Sequence, residues 1–67
     1  MIDGQTVELA VIFTGTETEN AYKIVDPASD TEHWIPFSQT SKRDGKLTGG
    51  EGTIIITEWI AKKKGLL

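Results

Sequence analysis

A mainly β domain that ends in one short helix is the fold class this 67-residue sequence predicts, and three observations predict it. Apolar and polar residues alternate along Thr6–Phe13, β-branched residues fill Gly52–Thr57, and a capped helical segment follows from Thr57 to Gly65. The length holds one domain, residues 1–67, and the expected architecture is α+β: a small antiparallel sheet of about four strands with the helix closing one end. Ordering such a chain costs roughly 100 kcal/mol of conformational free energy. With 37% hydrophobic residues, few apolar side chains can be spared for display.

The first strand is Thr6–Phe13, where Val7, Leu9, Val11 and Phe13 share the face expected to be buried. Thr14–Asn20 has no apolar side chain except the hydrogen of glycine to offer and reads as a polar connection. Ala21–Asp26 is the second strand, with Tyr22 and Ile24 on one face, and Asp26-Pro27 begins a turn because proline fixes its own φ and extends the residue before it. The third strand, Thr31–Phe37, sets His33, Ile35 and Phe37 against Glu32, Trp34 and Pro36. Pro36 cannot donate to a ladder, so it belongs at a strand end or a sheet edge.

Between Ser38 and Gly52 the only apolar residue is Leu47, which predicts a long surface loop with little share in the core; Asp44-Gly45 is its hairpin-forming pair. The strand after it, Gly52–Thr57, is apolar or threonine on both faces and is expected to be central. In the helix, Thr57 is the N-cap, Glu58 and Lys62–Lys64 complement the two ends of the dipole, and Gly65 is the stop. Leu66 is expected to fold back on Ile60 or Ala61, and Trp59 with Ile60 to dock on the sheet.

Catalytic and metal-binding chemistry is poorly represented. There is no cysteine and only one histidine, His33, whose sequence neighbours point to the opposite face of its strand. Gly49-Gly50-Glu51-Gly52 lacks the lysine and hydroxyl residue of a phosphate loop and precedes a strand instead of a helix. Ser38 and Thr40 have no histidine nearby in sequence to act as base. No enzyme activity, metal or cofactor is expected.

The net charge of −3 is unevenly spread: residues 1–41 hold seven acids against Lys23, a balance of −6, and residues 42–67 hold six bases against three acids, a balance of +3. Two surfaces follow. One is the Trp34 face, with Glu32 and Pro36, expected to bind a protein. The other is a basic set, Lys42, Arg43 and Lys46 with Lys62–Lys64, which beside Trp34 would suit a single-stranded nucleic acid. The start Met1-Ile2-Asp3-Gly4 lacks the pattern of a secretory signal and no apolar run approaches a membrane span, so a cytoplasmic protein that does not enter a membrane is expected. An exposed edge strand would also permit a homodimer.

The segments HWIPFSQT and EWIAKKKGLL resemble short phage and prophage proteins, with Trp34, Ile35, Pro36, Ser38 and Gln39 matching a strand-end block. Trp59, Ile60, Ala61, Lys64, Gly65 and Leu66 match a terminal-helix block. The resemblance implies a phage accessory context and no particular activity. WIPFSQ is also similar to the segment of SH3 domains in which a strand runs into a 3₁₀ turn, which implies an SH3-like barrel as the curled form of the sheet. The aromatic motif that lines the SH3 peptide groove is missing, so proline-rich peptide binding does not follow. The leading functional expectation is a non-enzymatic protein-binding accessory module acting on a host or phage protein; the alternative is a small barrel for single-stranded nucleic acid.

Overall fold

The first strand runs beyond its expected end. In the computed structural model, which describes residues 5–66, β1 spans Thr6–Glu17, β2 Ala21–Asp26, β3 Thr31–Pro36, β4 Thr40–Gly45 and β5 Gly50–Thr57, and α1 spans Glu58–Lys63. The five strands form one antiparallel sheet in the order β3-β2-β1-β5-β4. Of the two forms expected, the open sheet is the one observed: among the described residues no ladder joins the edge strands β3 and β4. A 3₁₀ turn at Phe37–Gln39 connects them, directly after Pro36, as the likeness to SH3 domains implies.

The inner face is the one the alternation marks. Val11, Phe13, Tyr22, Ile24, Ile35, Ile54 and Ile56 are buried there, with Ile60 and Ala61 of α1 laid over them. Pairing of β1 with β5 sets Leu9 opposite Ile54 and Val7 opposite Ile56, so both strands present isoleucine, valine and leucine to one side. The expected central position of the isoleucine strand is observed, since β5 lies between β1 and β4.

Two segments depart from expectation. Thr14–Glu17 extends β1 through a bulge whose Gly15 has φ 79° and meets the backbone of Thr48 too closely for any Cβ. Ser38–Gly52 is not a long loop but the 3₁₀ turn, β4, a tight turn and the start of β5. Its inward positions are Thr40, opposite Ile56, and Arg43, opposite Ile54, so an edge strand forms without apolar alternation. The hairpin expected at Asp44-Gly45 closes one step later, through Lys46 N–H to Glu51 O at 3.1 Å and Gly49 N–H to Lys46 O at 3.0 Å.

The helix has the predicted ends. Thr57 Oγ1 accepts from Ile60 N–H at 3.3 Å and donates to Gln39 Oε1 at 2.8 Å, tying the cap to the 3₁₀ turn. Gly65, at φ 74°, donates to Lys62 O, and Leu66 N–H donates to Ala61 O at 2.8 Å, which is the Schellman pair. Leu66 packs back on the core. Trp59 does not dock: it is 57% exposed, and Ala61 is buried beside Ile60 in its place. A helix of six residues buries one narrow stripe, and Trp59 lies outside the stripe that Ile60 and Ala61 define.

Candidate functional site

Trp34 stands on the outer face of β3, 39% exposed, on the same side as Glu32 and Pro36. Its cross-strand neighbour is Lys23 of β2, whose ammonium lies 5.7 Å from the indole ring and 3.2 Å from Glu32 Oε1. The same ammonium thus contacts the indole and the Glu32 carboxylate, which restricts the ring at a surface position.

Further along this outer face, Val25 of β2 pairs with Ile12 of β1, which in turn pairs with Glu51 of β5. Beyond Val25 the chain turns at Pro27, where the Asp26 carboxylate accepts from Ala28 N–H at 3.1 Å and Ser29 Oγ at 3.0 Å. Asp30, at φ 58°, completes the turn by donating its N–H to Asp26 O at 2.7 Å. Pro27 then walls a shallow depression of about 400 Å³ lined by Ala10, Val11, Ile12, Glu51, Gly52 and Thr53. The floor is apolar, and Glu51 is its only charged lining residue. Trp34 was legible from alternation, whereas the depression depends on where the β2–β3 turn lands.

The basic set is divided by the fold. Lys42 is exposed and outward on β4, at the opposite edge of the sheet from Trp34. Lys46 lies in the β4–β5 turn. Arg43 points inward: its guanidinium is 4.8 Å from the ring centres of both Tyr22 and Phe37, and Nη1 is 3.4 Å from Glu17 Oε2. It clasps β4 to β1, β2 and the 3₁₀ turn. Tyr22 OH and Thr40 Oγ1, 2.8 Å apart, make a second link across the same gap, and Thr40 Oγ1 donates to Pro36 O at 2.9 Å. Burial pushes the Tyr22 phenol above the ordinary tyrosine range, against the smaller opposing effects of the Thr40 hydrogen bond and the Arg43 charge.

Arg43 is accordingly a structural group. Arg43→Ala is expected to lower stability by about 1–2 kcal/mol through loss of the two ring contacts, and Glu17→Gln by less than about 1 kcal/mol because that ion pair is exposed. Urea denaturation of the two variants measures the difference; equal losses would assign the clasp to the ion pair instead.

The structure adds a surface not expected to exist. With Trp59 outward, Lys63 Nζ lies 5.0 Å from its ring, and Lys62 and Lys63 are exposed alongside. This cluster brings an aromatic ring and cations together, which the Trp34 and β4 set does not do. The helical period was a weak guide to it, because six residues give too few repeats to tell which flank is buried.

His33 is half-buried on the inner face, opposite Ile24, and its Nε2 is 3.0 Å from Thr31 Oγ1. Thr31 Oγ1 in turn lies 2.7 Å from Ser29 Oγ, so the histidine ends a chain of hydroxyls that orders the β2–β3 turn. Among the described residues no group of three side chains is arranged to hold a metal ion, and no helix is long and apolar enough to cross a membrane. The chain matches no model of a known protein family, no curated protein and no solved structure.

Proposed function

We propose that the chain is a non-enzymatic protein-binding accessory module, acting in the cytoplasm on a host or phage protein through the outer face of β1–β3. The observation that carries this reading is the exposed Trp34, held by Lys23 on the same face as the depression between Ala10, Ile12 and Pro27. A restricted indole on the same face as an apolar depression supplies large contact area at low entropic cost, the property of interface anchors. The phage context comes from the resemblance of the Trp34–Gln39 and Trp59–Leu66 blocks.

Capture from host lysate tests the surface. Wild-type and Lys46→Glu baits are expected to retain the same partner, and Trp34→Ala and Ala10→Glu baits to lose it. Retention by all four would overturn the assignment to this face.

A second reading, binding of single-stranded nucleic acid, is favoured by the Trp59–Lys63 contact with Lys62 beside it. It belongs to α1 and not to Trp34. Fluorescence anisotropy with a labelled oligonucleotide would support it only if binding fell steeply with salt and was lost in Trp59→Ala.

A further inference from the structure

We infer that the first half of β1 is a strand-addition site, which takes an extended, basic peptide segment of the partner as a sixth strand. The inference rests on the protein-binding reading above and names the kind of partner. β2 pairs with β1 only from Ile12 onward, so the side of Thr6–Ala10 that faces away from β5 carries no ladder among the described residues. Alternate backbone N–H and C=O groups there point outward, and an added strand is the occupant that satisfies them as a row.

The side chains around this edge fit the same occupant. Val7 and Leu9 point inward yet are only half-buried, unlike Val11 and Phe13 further along, where β2 covers the strand. Inward residues of an added strand would pack beside them and extend the core by one strand. On the outer face, Glu8 is exposed and forms no ion pair among the described residues. The outward residue of the added strand opposite Glu8 therefore meets a carboxylate, and lysine or arginine complements it. A second copy of the chain is a poorer occupant. The antiparallel register confined to Thr6–Ala10 centres on Glu8 and sets it against its own copy. The other two free edges are protected: β4 turns Arg43 inward and β3 ends in Pro36.

The test is amide hydrogen exchange by NMR, with a synthetic peptide of alternating valine and lysine as probe. At a peptide concentration about ten times its dissociation constant, alternate amides in Thr6–Ala10 are expected to exchange roughly tenfold more slowly. A peptide with glutamate in place of lysine is expected to bind at least about fivefold more weakly, with the order reversed on Glu8→Lys. A peptide methylated on alternate backbone nitrogens is expected not to bind. Protection elsewhere, equal binding of the methylated peptide, or no binding of the lysine peptide overturns the site. Slowed exchange at Thr6–Ala10 that grows with protein concentration alone overturns the peptide in favour of a second copy. The outcomes separate this site from the reading it rests on. Loss of lysate capture in Trp34→Ala with no protection at Thr6–Ala10 removes strand addition and leaves the Trp34 face. Protection together with unchanged capture in Trp34→Ala does the reverse.

Discussion

Ile54→Ala is expected to lower the thermal midpoint by roughly 10–30 °C. Ile54 is fully buried in the second most central strand, opposite Leu9 on one side and Arg43 on the other, so removing three carbons opens a cavity in the middle of the inner face. Deletions of this kind cost about 2–5 kcal/mol, the upper part of the range applying where neighbours cannot collapse. Here the neighbours on both sides are held in ladders. A domain of this size has roughly 3–10 kcal/mol of stability, so the loss takes up much of it. Thermal denaturation followed by far-ultraviolet circular dichroism measures the effect. Ile54→Val, expected to cost about 1 kcal/mol, separates cavity formation from any general intolerance of substitution at the site. A cooperative transition for Ile54→Ala within a few degrees of wild type would show that the core is centred elsewhere.

Gly52→Ala is the second large effect, and its origin is steric. Gly52 lies on the inner face of β5 opposite Val11 and Gly45, and the ring of Phe13 lies over it. A Cβ at this position would overlap the Phe13 ring and the carbonyl oxygen of Asp44. Phe13 is itself buried and in contact with Tyr22, their ring centres 6.4 Å apart, so it has little room to withdraw. Overpacking of this kind costs about 1–3 kcal/mol, and the involvement of a backbone oxygen places Gly52→Ala at the upper end. Gly49→Ala is the comparison. Its added Cβ meets no atom, so any loss there reflects its φ of 146° alone. A larger loss for Gly49→Ala than for Gly52→Ala in urea denaturation would contradict the packing described for Phe13.

What the sequence disclosed about the fold follows from where local patterns and tertiary demands coincide. Val7, Leu9, Val11 and Phe13 alternate because β1 has a core on one side only, and Thr57 and Gly65 delimit α1 by chemistry confined to a few neighbouring residues. β4 was illegible because its inward residues, Thr40 and Arg43, are satisfied by partners distant in the chain, Tyr22 and Glu17. A positive charge resting against two rings reads in sequence as a solvated side chain. The exposure of Trp34 was legible from its register with Glu32 and Pro36, whereas the outward turn of Trp59 was not. The depression beside Ile12 and the free side of Thr6–Ala10 both depend on β2 ending at Asp26, which the Asp26-Pro27 pair does announce. That ending acquires its consequence only once β2 is placed against the far half of β1.

Under the proposed function, a partner protein contacts the outer face of β1–β3. A chemical-shift map of the isotope-labelled chain, titrated with the partner captured from lysate, locates that contact. Shifts are expected at the Trp34 indole, Lys23, Val25, Ile12 and Ala10, with Lys62, Lys63 and Lys64 unmoved. Shifts confined to Trp59 and the helix lysines would contradict it and transfer the function to α1.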